Sequence, residues 1–95
     1  MITIAQIKAA RLFLSWEQVE LAERSGVSLP TVQRIENPKF GPGRSRLEII
    51  ERLMRALEQG GIEFIRPSDG KGEGVRLRKA VQIDDDRRDG RQSEE

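Results

Sequence analysis

The segment from residue 18 to residue 36 constrains the fold of this chain more than any other. It contains a small residue, Ala22, and a glycine, Gly26, which can adopt the positive φ that a side chain resists. Four apolar residues stand around them with the spacing of two crossing helices, namely Leu21, Val27, Val32 and Ile35. The small residue allows the second helix to approach closely. The segment therefore predicts a helix-turn-helix arrangement.

The composition excludes several classes of protein. The 95 residues suffice for one small domain with a modest core. The sequence has no cysteine and no histidine. This removes disulfides and thiolate metal sites, and also the commonest general base. Since the carboxylates show no converging pattern, we expect no enzyme active site, no bound metal and no cofactor.

Charge and hydropathy indicate where such a chain works. No apolar run is long enough to span a bilayer, and polar residues interrupt the first 14 residues where a signal peptide would be apolar. We therefore expect a cytoplasmic protein with no membrane partner. Residues 1–79 carry 14 Lys and Arg against 10 Asp and Glu, a net charge of +4, whereas residues 80–95 carry 3 against 6. A mildly basic body suits a polyanionic partner, although an ordinary solvated surface carries such a charge as well.

Capping signals predict three helices besides the one that opens the segment from residue 18 to residue 36. Thr3 and Gln6 have the spacing of a capping box, so the first helix begins one residue after Thr3. Ser28 is a good N-cap for the third helix, which ends before the proline that follows Asn37. Ser45 precedes a strongly amphipathic stretch that ends at a pair of glycines. This stretch predicts the fourth helix.

After residue 60 the pattern changes from helical to alternating. Two short strands are predicted on either side of a turn over residues 69–74. Their apolar residues share one face and are Ile62, Phe64, Val75 and Leu77. A lone hairpin is marginal in water, so this face either packs on the fourth helix or pairs with a second chain. We assign these four residues to a homodimer interface and predict a disordered, charged tail after them.

The segment from residue 18 to residue 36 also resembles the Xre family of bacterial and phage regulators, which includes Cro and the lambdoid phage repressors. The resemblance covers about residues 4–57 and implies a helical bundle that binds operator DNA, usually as a dimer. The hairpin stands where the family has a fifth helix. We therefore predict a mainly α fold. It consists of a four-helix, lambda-repressor-like helix-turn-helix bundle over residues 1–60, a β-hairpin over residues 61–80 and the tail over residues 81–95.

The resemblance implies roles for individual residues. Gln18 matches a glutamine that typically holds a phosphate, and Arg11 and Glu36 match a pair that is buried in some members of the family. The exposed positions of the recognition helix correspond to Ser28, Leu29, Pro30, Thr31, Gln33 and Arg34. Leu29 stands where relatives often carry a polar side chain, so we expect it to touch a thymine methyl group.

The chemistry of these side chains agrees with contact to DNA. No acidic side chain interrupts residues 24–35, where a carboxylate would repel phosphate. Arg34 can pair with guanine, contact a phosphate or form a surface ion pair. Gln33 can read adenine, contact a phosphate or remain solvated, and Thr31 suits a phosphate or a base equally. Three basic residues after the third helix are either phosphate contacts or a solvated loop, namely Lys39, Arg44 and Arg46.

Two functions follow from this interpretation. The first is a sequence-specific DNA-binding regulator, a repressor or autoregulator, that binds a two-fold operator as a homodimer. The alternative is an antitoxin, or another protein-interaction module, that neutralises a partner protein through the C-terminal strands or tail. RNA binding is less favoured, because no stacking aromatic residues lie on an exposed sheet.

Overall fold

The computed structural model describes residues 2–39 and 47–80. Four helices precede two antiparallel strands, which confirms the predicted bundle and hairpin. The elements are α1 (Ile4–Phe13), α2 (Gln18–Ser25), α3 (Leu29–Glu36), α4 (Leu47–Gln59), β1 (Ile62–Ile65) and β2 (Gly74–Leu77). The predicted cap at Ser45, the basic residues Arg44 and Arg46, and the C-terminal tail lie outside the described residues.

Local hydrogen bonds from cap side chains fix the starts of α1 and α3. The Thr3 hydroxyl accepts from the Gln6 amide at 3.1 Å, and Gln6 Oε1 accepts from the Thr3 amide at 2.7 Å. The Ser28 hydroxyl accepts from the Thr31 amide at 3.3 Å. These bonds confirm the predicted caps of α1 and α3. The N-cap of α2 is Glu17, whose side chain makes no capping bond.

The turn between α2 and α3 is the one that the small residues predict. Gly26 has φ +76°, and its amide donates to the Ala22 carbonyl at 3.0 Å. The left-handed conformation ends α2, as is common at a helix C-terminus. Leu21 and Val32 are then fully buried on either side of the turn. The crossing of α2 and α3 is therefore fixed by backbone geometry and apolar packing together.

One hydrophobic core lies beneath the helices and the hairpin. Its fully buried large side chains are Ile7, Leu21, Val32, Leu53, Leu57 and Ile62. Trp16 packs against this core from the loop after α1. The Trp16 ring lies so near Gly60 that a Cβ there would be 2.7 Å from it. Within residues 2–39 and 47–80, no helix is long and apolar enough to cross a membrane.

The hairpin packs on its own bundle. Ile62 pairs with Leu77 and Phe64 with Val75, and β2 contacts α1 while β1 contacts α4. Ile62 is fully buried, whereas Phe64, Val75 and Leu77 are half-buried against the core. Packing on the fourth helix, one of the two arrangements that the sequence left open, is therefore present in the single chain. The contribution of this face to a dimer remains a prediction.

Two side chains fasten the hairpin at its two ends. The buried Gln6 amide nitrogen donates to the carbonyls of Ile65 at 3.3 Å and Gly74 at 2.9 Å. At the other end, the Arg78 guanidinium donates to the Glu58 carbonyl at 2.6 Å. Gln6 thus caps α1 through its oxygen and holds the hairpin through its nitrogen. The sequence predicted only the first of these roles.

Candidate nucleic-acid interface

A buried ion pair joins α1 to the last residue of α3. Arg11 donates from Nε and Nη2 to the two oxygens of Glu36, each at 2.8 Å. Its third nitrogen, Nη1, donates to the Trp16 carbonyl at 2.8 Å. The side chains are 10% and 2% exposed. This pair, which the resemblance implied, has both charges compensated and every guanidinium nitrogen engaged.

Gln18 adds α2 to the same network. Its Nε2 donates to Glu36 Oε1 at 3.1 Å, so the first residue of α2 is tied to the end of α3. The resemblance implied a phosphate contact for Gln18, and the amide keeps one N–H for that contact. Because buried polar networks of this kind rigidify a structure, the orientation of α3 is set within the folded chain.

The outer face of α3 carries polar side chains without a carboxylate. Ser28, Gln33 and Arg34 are exposed, and Thr31 is half-buried. The Ser28 hydroxyl lies 2.8 Å from the Thr31 hydroxyl, so these two groups share a hydrogen bond. Among the described residues Arg34 forms no ion pair. The carboxylate nearest to it in sequence, Glu36, is already occupied by Arg11.

The remaining predicted contact residues differ in their availability. Leu29 is half-buried and packs against the core, so only part of its side chain can meet a thymine methyl group. Lys39 is exposed just beyond α3, and its backbone amide donates to Asn37 Oδ1 at 2.9 Å.

An open groove of about 630 Å³ runs beside α3. It brings together the predicted Gln18 and Gln33 and adds two residues that the sequence did not single out, Lys8 and Asn37. The remaining lining residues are Arg11, Glu17 and Glu36. Lys8 lies three residues before Arg11, so the two occupy neighbouring positions on α1. That spacing is the sequence signal that could have assigned Lys8 to this site.

The basic residue in the last turn of α2 is engaged elsewhere. Arg24 forms an ion pair with Glu20 at 2.6 Å, and its guanidinium lies 4.5 Å from the centre of the Trp16 ring. Both contacts keep this charge against α2 and the preceding loop. The basic groups available beside α3 in the described residues are therefore Lys8, Arg34 and Lys39.

Comparison with known proteins agrees with this geometry. A family model described as helix-turn-helix matches residues 7–58, more than half of the chain. The match begins at Ile7 within α1, ends at Glu58 within α4 and omits the hairpin. No curated protein matches the sequence. The match over α1 to α4 and the observed turn at Gly26 together show that the chain belongs to the Xre-like helix-turn-helix family of DNA-binding domains, found in Cro and lambda repressor-like proteins.

Proposed function

We propose that this protein is a sequence-specific transcriptional regulator, a repressor or autoregulator, that binds a two-fold operator as a homodimer. The observation that carries the proposal is the outer face of α3. It presents hydroxyl, amide and guanidinium groups without a carboxylate, on a helix that the Arg11–Glu36–Gln18 network holds in place. Such a helix suits the major groove, where each base pair has a distinct pattern of donors and acceptors.

The side chains of α3 divide between the bases and the backbone. We assign Arg34 to a guanine, where its two parallel donors match O6 and N7, and Gln33 to an adenine. Ser28 and Thr31, at the start of the helix, suit phosphate oxygens, as does Lys39 beyond its end. Leu29 contributes an apolar contact through its exposed part.

A homodimer would place two copies of α3 in successive turns of the groove, roughly 34–36 Å apart. We assign the contact between the copies to the hairpin. Among residues 2–39 and 47–80, each of its two strands has one edge without a strand partner, and an unpaired edge is a template for a second strand. Phe64, Val75 and Leu77 keep exposed surface for that contact. Ile62 is fully buried in its own chain, so it supports the interface through the backbone.

Titration of the purified protein with its own upstream DNA tests DNA recognition. We expect a saturable complex whose affinity falls steeply with salt, because binding releases counterions. Arg34→Ala should lose about 1–3 kcal/mol of binding free energy and relax the preference at one base pair. Arg52→Ala, on the exposed face of α4, is the matched control. Unchanged affinity and base preference in Arg34→Ala would reject this docking.

Operator spacing tests the dimer. Inserting about five base pairs between the half-sites turns one half-site to the opposite side of the duplex, so a rigid dimer should lose most of its affinity. Sedimentation at micromolar concentration should show two chains per complex. A monomer that binds each half-site independently, whatever the spacing, would contradict the proposal.

A further inference from the structure

Several acceptors in the groove beside α3 are already engaged within the described part of the chain. Both Glu36 oxygens accept hydrogen bonds from Arg11, and one also accepts from Gln18. Asn37 Oδ1 accepts from the Lys39 amide at 2.9 Å, which points its amide nitrogen away from that bond. The donors that remain for a ligand are the Lys8 ammonium, the Asn37 amide nitrogen and the second N–H of Gln18.

Two charges in the groove have no partner in the described part of the chain. Lys8 and Glu17 are both exposed and line the groove, yet neither forms an ion pair with any described residue. Glu17 also makes no capping bond to α2. The groove therefore offers donors to an anion, with one cation that favours the anion and one carboxylate that opposes it.

We infer that this groove holds one phosphate of the DNA backbone, that Lys8 supplies the attraction, and that Glu17 limits how tightly the phosphate is held. The inference rests on the proposed function and assigns two further residues to it. A phosphate in the groove would meet the donors of Lys8, Gln18 and Asn37. It would also lie near the N-terminus of α2, whose positive end Glu17 already occupies.

The opposition of Glu17 lowers the affinity for all DNA and leaves the ratio of operator to non-operator affinity unchanged. Backbone contacts strengthen binding to every sequence alike, whereas base contacts strengthen binding to the operator alone. A carboxylate beside the backbone contact lowers the sequence-independent part of the affinity. Binding then depends more on the base contacts of α3, and the preference for the operator over other DNA is preserved at a lower total affinity.

Charge-removing variants test the two residues separately. Lys8→Gln should weaken binding to operator and unrelated DNA alike and lower the slope of log affinity against log salt by about 0.9. Lys8→Arg, which keeps the charge, should restore the slope. Glu17→Gln should strengthen binding to both DNAs roughly threefold at low salt, the effect of one charge about 6 Å away in water. Lys71→Gln and Glu23→Gln, both exposed and outside the groove, are the matched controls.

Each outcome decides the inference. The inference is wrong if Lys8→Gln and Lys71→Gln have the same slope of log affinity against log salt. It is also wrong if Glu17→Gln and Glu23→Gln bind DNA with the same affinity. The proposed function stands in both cases. A wild-type protein that binds no DNA overturns both. Titration with inorganic phosphate separates the two sources of the anion. Phosphate binding that depends on Lys8, combined with DNA binding that does not, would show a site for free phosphate and overturn the assignment.

Discussion

The helical bundle and the hairpin each contain an arginine–glutamate pair that joins two different elements, and these two pairs lie in opposite surroundings. Arg11 and Glu36 are 10% and 2% exposed, whereas Arg76 and Glu63 are 64% and 46% exposed. Both pairs are bidentate, with distances of 2.8 Å in the bundle and of 2.9 and 3.4 Å in the hairpin. The two pairs thus have similar geometry and differ in their exposure to solvent.

The comparison shows why similar pairs have different consequences. In the bundle, neither charge can be hydrated if its partner is lost, so each depends on the other. In the hairpin, water and salt replace the partner readily. The buried pair therefore fixes α1 against α3. The exposed pair lies on the outer face of the sheet and contributes little to stability. Variants at Glu36 and Glu63 test this difference between the two pairs. Variants at Gln6 and Gly60 test the junction between the bundle and the hairpin.

Removal of the buried carboxylate should have the largest effect. Glu36→Ala leaves the Arg11 charge buried without compensation and should cost about 3–5 kcal/mol of unfolding free energy. Denaturant unfolding, followed by the fluorescence of Trp16, measures the loss. Glu63→Ala is the matched control at the exposed pair and should change the midpoint little. Equal losses at the two sites would show that burial does not separate them.

Loss of the Gln6 donors should have the next largest effect, because Gln6 is where the bundle holds the hairpin. Gln6→Glu keeps the oxygen that accepts from Thr3 but removes the donors to Ile65 and Gly74. We expect a loss of about 2–3 kcal/mol, in the upper range for polar groups left unpaired.

Hydrogen exchange distinguishes this role of Gln6 from a simple cap. Amides of β1 and β2 should lose protection in Gln6→Glu, while those of α3 keep it. Gln33→Glu, on the exposed face of α3, should leave the hairpin protected. Uniform loss of protection across the chain would mean that Gln6 supports the whole fold and has no particular role in fastening the hairpin.

Overpacking at Gly60, between α4 and β1, should lower the unfolding free energy by a smaller amount. In Gly60→Ala the new Cβ would lie 2.7 Å from the Trp16 ring and 2.9 Å from Leu14 Cδ1. Since the Trp16 ring is only half-buried, it can shift, and we expect a loss of about 1–2 kcal/mol. A changed Trp16 emission should accompany the lower melting temperature. Gly72→Ala, which meets open space, is the control.

The exposed pair should give the smallest effect, seen as a pH dependence. The hydrogen bond from Arg76 lowers the pKa of Glu63 below its usual value. A lowered pKa means that this contribution to stability is present above the unfolded pKa and is lost as the pH falls through the folded value. Glu63→Gln should remove that small part of the acid dependence. If Glu63→Gln lost more stability than the wild type as the pH falls, this sign would be contradicted.

Much of the fold could be predicted because its signals are local. The capping box of α1, the Ser28 cap and the left-handed Gly26 each act within a few residues, and each is present as expected. The change from helical to alternating pattern after residue 60 predicted the hairpin for the same reason. The buried Arg11–Glu36 pair was implied by the family resemblance alone, since 25 residues separate its partners.

The candidate site could be predicted only in part. The order of residues in α3 identified its polar outer face, because helical periodicity determines which positions share a side. Lys8 and Asn37 were missed, since the groove that unites them with Gln18 and Gln33 is formed by three separate segments. Leu29 was predicted as an exposed contact and is half-buried, because the core beneath α3 takes part of its side chain.

The sequence by itself determined the starts of α1 and α3, the end of α2 and the change from helices to strands, since caps, glycine conformations and apolar periodicity are properties of neighbouring residues. The tertiary structure decided which polar groups are satisfied and which remain free. Gln6 shows the difference, because its oxygen completes a cap three residues away while its nitrogen binds carbonyls 59 and 68 residues away. Contacts at such separations depend on how the elements pack around a shared core, and packing brings together residues that no local pattern connects.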